Sequence, residues 1–362
     1  MDETTFRILD TLSRELGNMI SMHQLTYRIR QYHGTAYYAR TYNKLNELSK
    51  QALITITKAG RSSVPSLNLA NYALLDLLSE IEMRKKRELL DKAKPLQLLL
   101  INMEAYAHNN PQIESISLIN PERNARLNIA EVLILMRNFY EARWNESKSV
   151  YKMIRDSQSK FNIRADGLLL STEDFIHMLA SDEVNPLNEM LSNKIAFYAP
   201  QAFWGEIAAA FSRGYKIRLR NMETNPAKIA EEDLIFNLNR FGYRELGPEI
   251  TEREKICIEY IIIALLMKGD ARRINAIPEI LSKNKVNYGL LTFLSQKHGQ
   301  SSRLLGPLKA MDKTRPEETT AFAISILEEQ MTKTTKADEE SVAQNMRSHN
   351  AIRQERTTRF SA

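Results

Sequence analysis

Seven basic side chains are concentrated in one short stretch of this chain, residues 21–64. The stretch has a single acidic residue, Glu47, and its net charge of +6 equals that of the whole 362-residue chain. A local excess of cations attracts phosphate groups through an interaction that weakens with salt. The stretch therefore predicts contact with nucleic acid. Its cations are Arg28, Arg30, Arg40, Lys44, Lys50, Lys58 and Arg61.

The elements that must position these cations follow from the pattern around them. Residues 21–30 predict a helix that begins at an N-cap, Ser21, and the following glycine, Gly34, ends it. A second helix is predicted over residues 35–50. The spacing of four of its residues predicts that they form one buried stripe: Tyr38, Tyr42, Leu45 and Leu48.

Two short alternating segments after these helices predict a β-hairpin. Residues 53–57 and 65–69 read as strands, and the turn between them contains Gly60. Helix, turn, helix and a hairpin with a basic tip is the order of a winged helix-turn-helix. We therefore predict such a unit over residues 1–70.

In a winged helix, the N-terminal part of the second helix meets base edges in the major groove, and the hairpin reaches phosphate or the minor groove. Contact with double-stranded DNA is the prediction that follows. The alternative is a winged helix that contacts protein, with its basic residues forming a solvated face. The residues predicted to bind DNA are Arg28, Arg30, Thr35, Tyr37, Arg40, Asn43, Lys44, Lys58 and Arg61.

Composition limits the class of protein. Hydrophobic residues make up 43% and charged residues 26% of the chain, as in ordinary soluble globular proteins. A lone cysteine, Cys257, in a run predicted to be helical, excludes an intrachain disulfide and fits a reducing compartment. The N-terminus is acidic, and the most apolar run, 256–267, is too short to span a bilayer. We expect a cytoplasmic protein without membrane contact.

The remaining chain divides by pattern into four parts, which makes the predicted fold class α+β and multidomain. Residues 71–94 predict a linker helix that leaves the winged helix. Strands alternate with helices over 95–224, which indicates a small α/β domain. Residues 225–334 predict a helical bundle, with one helix over 252–268, and residues 335–362 a polar tail.

Four segments resemble archaeal proteins that fuse a winged helix to a nucleotidyltransferase-like domain and a C-terminal helical domain. The resemblance covers most of the chain in order. The segments are Ile116–Ile119, Ala165–Ser171, Asn185–Leu187 and Arg272–Pro278.

The resemblance implies a catalytic requirement that this chain meets only in part. Active members of the superfamily use a Gly-Ser turn after the first strand and three carboxylates that hold divalent metal. Here the turn is 120–124, which contains a proline and neither glycine nor serine. The next strand offers only Glu131, and Asp166 could match the third carboxylate. We therefore expect a degenerate, non-enzymatic domain with no metal and no cofactor.

Two alternatives stay open at this point. One is a metal-dependent nucleotidyltransferase or an antitoxin-type modifying enzyme. The other is a structural adaptor that binds protein through its winged helix. Because winged-helix proteins commonly bind paired half-sites as dimers, a homodimer is compatible with the sequence.

Overall fold

The computed structural model describes residues 1–137, 143–244, 250, 252–329 and 331, with side chains 143–145 excepted, and shows a mixed α+β protein with far more helix than strand. The chain divides into two compact units, Met1–Ala264 and Leu265–Ala362. The division between them lies inside a helix, Ile258–Lys268.

The first unit begins with three helices and a hairpin. Two of these helices start at side-chain caps: Asp2 accepts from the Thr5 amide, and Ser21 with Gln24 forms a reciprocal capping box. The elements are α1 Glu3–Arg14, α2 Met22–His33, α3 Tyr38–Lys50, β1 Ile54–Ala59 and β2 Ser62–Leu67, the strands being antiparallel.

Helix α3 differs from the prediction in its start and in its rotation. It begins at Tyr38 rather than at residue 35, so Thr35 lies in the turn before it. The predicted buried stripe was wrong for two residues: Tyr38 is 40% exposed and Tyr42 is 43% exposed. A competing stripe with the same helical spacing, Thr41, Leu45 and Leu48, is buried instead.

The middle of the first unit is a four-stranded sheet in the order β5-β4-β3-β6. Strand β3 is antiparallel to both of its neighbours, whereas β4 and β5 are parallel. A short helix, α6, had not been predicted. The elements are α5 Lys94–His108, β3 Ile113–Ile119, α6 Pro121–Leu127, β4 Ile129–Met136, α7 Arg143–Phe161, β5 Arg164–Ser171, α8 Thr172–Ala180, α9 Pro186–Met190, β6 Lys194–Tyr198 and α10 Pro200–Ser212.

Helix α4, Tyr72–Leu90, packs against β6 and α10 and therefore lies on the sheet. A later segment, residues 217–221, covers the end of α1. The Leu219 amide donates to the Leu16 carbonyl at 2.9 Å, and Asn221 Nδ2 donates to Glu15 Oε1 at 2.5 Å. The approach is so close that a Cβ on Gly17 would lie 1.8 Å from the Ile217 carbonyl oxygen.

Helix α11 spans Glu231–Arg240, and the helix after it, α12, is shorter than predicted. It runs over Ile258–Lys268 and not from residue 252. The preceding backbone pairs with another segment, since the Cys257 amide donates to the Val184 carbonyl at 2.9 Å. Cys257 is therefore buried just before the helix and not within it.

The second compact unit is helical within the part of the chain that the structure describes. Its helices pack as α13 on α15 and α14 on α15, and residues 318–329 are also helical. The elements are α13 Ala271–Lys283, α14 Tyr288–Lys297 and α15 Ser301–Thr314. The predicted polar tail, 335–362, lies outside the described residues. No helix among the described residues has the length and apolar character needed to cross a membrane.

Candidate nucleic-acid interface

The residues predicted to bind DNA lie on five consecutive pieces of the first unit. Arg28 and Arg30 are on α2, and Thr35 and Tyr37 are in the turn that follows it. Arg40, Asn43 and Lys44 are on α3, Lys58 is on β1, and Arg61 is in the hairpin turn.

Three of the predicted cations are already engaged within the protein. Arg28 Nε lies 3.1 Å from Glu15 Oε1, which joins α2 to the end of α1. Lys44 Nζ lies 3.1 Å from Asp2 Oδ2 and 2.8 Å from Glu47 Oε2. Arg30 Nη2 donates to the Ala36 carbonyl at 3.1 Å. These contacts position α1, α2 and α3, so they reduce the charge that remains for a ligand.

The pairing between α1 and α3 also shifts the pKa of the acid at the start of α1. Although partial burial opposes it, hydrogen bonds from Thr5 and Lys44 lower the pKa of Asp2 to about 2. The Lys44 ammonium, hydrogen-bonded to Glu47, has a raised pKa. Both groups are thus charged at neutral pH.

Three other predicted cations, Arg40, Lys58 and Arg61, are not engaged in this way. All three are exposed, and none makes an ion pair with a carboxylate in the part of the chain that the structure describes. Arg40 lies in the first turn of α3, and the other two flank the glycine of the hairpin turn, Gly60, whose φ is 60°. Their charges therefore face solvent from two adjoining elements.

Thr35 and Tyr37 border a cleft between α1 and the start of α3. The cleft has a volume of about 230 Å³, and Glu3, Arg7 and Arg40 also line it. Arg7 Nη1 donates to the Thr35 carbonyl at 2.9 Å and to its hydroxyl at 3.3 Å. These hydrogen bonds from Arg7 fix the position of Thr35, and with it the turn between α2 and α3.

Helical spacing places three polar side chains on the outward face of α3, opposite Leu45. Asn43 is exposed, and Asn46 and Lys50 follow it three and seven residues later. The two tyrosines of α3 adjoin this face, and they were missed as surface residues. The signal that could have found them is the alternative stripe of Thr41, Leu45 and Leu48.

The buried carboxylate of Asp10 on α1 positions the end of α2, just before the α2–α3 turn. Asp10 Oδ2 lies 3.2 Å from Nε2 of His33, the last residue of α2, and 2.9 Å from Arg14 Nε. Asp10 Oδ1 lies 3.1 Å from Lys85 Nζ on α4. Burial opposes ionisation here, but Lys85, His33 and Arg14 together hold the pKa of Asp10 far below its usual range.

The two sheet carboxylates that the sequence analysis singled out lie on neighbouring strands. Glu131 on β4 is in register with Asp166 on the parallel strand β5, so both side chains share one face of the sheet. An arginine accompanies each: Arg123 Nη1 lies 3.5 Å from Glu131 Oε1, and Arg164 Nη2 lies 2.9 Å from Asp166 Oδ2. The described residues contain no group of three metal-ligating side chains.

The turn before β4 is closed by the chain's own groups. Asn120 adopts a left-handed conformation with φ 48°, and its amide donates to the Asn193 carbonyl at 2.8 Å. The side chain of Asn124 donates to the Ile119 carbonyl at 2.6 Å. A phosphate-cradling turn needs free backbone amides, which this turn does not offer at Asn120 or at Pro121.

The chain matches no family model, no curated protein and no solved structure. Any function must therefore be argued from the geometry described above.

Proposed function

We propose that residues 1–70 form a winged helix-turn-helix that binds double-stranded DNA, and that the protein is a transcriptional regulator or a chromatin-associated factor. The observation that carries this proposal is the contrast among the cations of residues 21–64. Arg28 and Lys44 are paired with carboxylates, whereas Arg40, Lys58 and Arg61 are exposed and make no ion pair among the described residues. A cation without an internal partner is the kind that neutralises phosphate and releases counterions.

The order of the elements supports a specific docking. Helix α3 enters the major groove with Arg40 toward the bases and Asn43 nearer the backbone, and the β1–β2 hairpin contacts phosphate or the minor groove through Lys58 and Arg61. The capping box at Ser21 and the contacts of Arg28 hold α2 behind α3. A homodimer would present two such helices to paired half-sites.

The central domain serves in this proposal as a degenerate nucleotidyltransferase-like scaffold rather than an enzyme. The arginines beside Glu131 and Asp166 place positive charge where a catalytic domain would hold divalent metal. The closed turn at Asn120 removes the amides that a triphosphate would need.

The test is fluorescence anisotropy of the full chain on mixed-sequence duplex DNA across a salt series. The wild type should bind with an affinity that falls steeply with salt, and Arg40→Ala/Lys58→Ala/Arg61→Ala should abolish most of that binding. The matched control is Lys92→Ala/Lys152→Ala/Lys216→Ala, which removes the same charge from three exposed lysines elsewhere in the first unit. Absence of binding at low salt, or equal loss in both triple variants, would refute the proposal.

A second function, metal-dependent nucleotidyl transfer, is favoured by one observation, the register pairing of Glu131 with Asp166. It predicts consumption of a nucleoside triphosphate that requires Mg²⁺ or Mn²⁺ and that is lost in Asp166→Ala and in Glu131→Ala. A protein-binding adaptor, by contrast, predicts neither triphosphate consumption nor salt-sensitive affinity for DNA.

A further inference from the structure

Three aromatic rings on α2 and α3 stack on one another at the protein surface. The His23 and Tyr38 rings are nearly parallel, with centroids 4.1 Å apart and an interplanar angle of 11°. Tyr42, one helical turn further along α3, continues the column, with its centroid 6.1 Å from that of Tyr38. We call His23, Tyr38 and Tyr42 the aromatic column.

The aromatic column remains exposed to solvent although it consists of large rings. Tyr38 is 40% exposed and Tyr42 is 43% exposed, and His23 is also exposed. The leucines and the isoleucine of both helices, by contrast, are buried: Leu25, Ile29, Leu45 and Leu48. The large exposed apolar side chains of α2 and α3 are therefore aromatic rather than aliphatic.

The exposed charges of α2 and α3 are mainly positive. Arg30, Arg40 and Lys50 are exposed on the same two helices, and the acid of α3, Glu47, accepts from Lys44. A protein-binding surface usually combines aromatic rings with aliphatic groups and few cations at its centre. Aromatic rings combined with cations are instead the composition of surfaces on which nucleic-acid bases stack.

We propose that the aromatic column is a stacking platform for unpaired bases, so that the protein binds DNA with a melted or single-stranded segment more tightly than fully paired DNA. An unpaired base extends the column by stacking on an outer ring, and the cations of α2 and α3 hold the backbone beside it. A paired base cannot stack in this way because its faces are covered within the duplex. This inference rests on the proposed DNA binding and adds a preference for strand state.

The experiment compares three fluorescein-labelled DNAs of equal length: a duplex, a single strand, and a duplex with a central unpaired bubble. Anisotropy is measured with the full chain at one salt concentration. The wild type should prefer the bubble or the single strand over the duplex. Tyr38→Ala/Tyr42→Ala should lose at least about fivefold in affinity for each stacked base on those DNAs. It should bind the duplex nearly as the wild type does.

Two further variants separate stacking from other roles of these tyrosines. Tyr38→Phe/Tyr42→Phe keeps the rings and removes the hydroxyls, so it should bind like the wild type if stacking is the interaction. Tyr72→Ala removes a 73% exposed tyrosine from the start of α4 and should have no effect on any of the three DNAs.

The outcomes also separate this inference from the DNA-binding proposal. Equal affinity for all three DNAs, or an equal loss in the alanine and phenylalanine variants, would overturn the stacking platform while leaving salt-sensitive duplex binding in place. The phenylalanine loss would identify the hydroxyls as phosphate contacts. Failure to bind any DNA at low salt would overturn both proposals. Circular dichroism of each variant must match that of the wild type for the comparison to count.

Discussion

The carboxylate of Asp10 in α1 lies 3.2 Å from the imidazole of His33, the last residue of α2. The same carboxylate contacts Arg14 and Lys85, so one buried acid joins α1 and α2 to α4. The turn that leads into α3 begins directly after His33. The position of the proposed DNA-binding helix therefore depends on a residue that cannot itself touch DNA.

Replacing Asp10 by asparagine should destabilise the protein by about 3–5 kcal/mol, because the change removes the buried carboxylate that two partly buried cations, Lys85 and Arg14, share. Urea unfolding followed by circular dichroism would measure the loss. Asp76→Asn, which alters an exposed acid of α4, is the control and should change stability little.

The stability contributed by Asp10 should also depend on pH. Because the pKa of Asp10 is lowered in the folded state, its contribution is complete above the unfolded-state pKa of about 3.9 and is lost as pH falls below that value. The urea midpoint of the wild type should therefore drop more between pH 5 and pH 3 than that of Asp10→Asn. Parallel curves for the two proteins would contradict this assignment.

A second buried ion pair, Lys194 with Glu82, should show how much stability is lost when only one partner is removed. Lys194 on β6 forms an ion pair with Glu82 on α4, Glu82 also accepts from the Ala196 amide at 3.0 Å, and burial lowers the pKa of Lys194 to about 8. Lys194→Met should cost about 3–5 kcal/mol by stranding Glu82. Lys194→Met/Glu82→Leu should be more stable than Lys194→Met, as thermal unfolding of both variants can show.

Gly17→Ala should be strongly destabilising for two independent reasons. The residue has φ +78°, and an added Cβ would lie 1.8 Å from the backbone carbonyl oxygen of Ile217. To relieve this clash, the backbone around Ile217 would have to move, and the movement would break the Leu219–Leu16 hydrogen bond. Gly34→Ala has the same left-handed strain but open space around it, so differential scanning calorimetry should show a smaller decrease in Tm.

Arg40→Ala should reveal whether the residue reads sequence. If Arg40 contacts a base, specific binding should weaken by about 1–3 kcal/mol and selectivity should relax at one position. If it contacts phosphate, the loss should be equal on every DNA sequence and the salt dependence should decrease. Anisotropy on a selected site and on a scrambled duplex distinguishes the two results.

Much of the helix and strand pattern could be predicted because local signals agreed with the final packing. The helix over Tyr72–Leu90 and the strand over Ile113–Ile119 follow from apolar spacing, and the start of α8 follows from its N-cap, Ser171. The rotation of α3 could not be predicted, since two stripes with the same period compete within it. Aliphatic Leu45 and Leu48 with small Thr41 fit the interior better than two tyrosines, whose hydroxyls need partners when buried.

The site was harder to predict than the elements because pairing depends on distant residues. The sequence treats Arg28, Lys44 and Arg40 as equivalent cations, but Arg28 pairs with Glu15 and Lys44 with Asp2, the residues that cap the two ends of α1. The start of α12 likewise moved because the backbone before it pairs with Val184. These partners are distant in the sequence, so the pattern of neighbouring residues does not reveal them.

The segment that covers Gly17 has a consequence for how this protein could be built or rebuilt. Residues 1–70 are continuous in sequence, yet Lys85 neutralises Asp10, and Asn221 and the Leu219 amide complete the end of α1. A fragment cut at residue 70 would lose all three partners. Residues 1–70 are therefore not an independently folding module. A graft onto another protein would have to include α4 and residues 217–221.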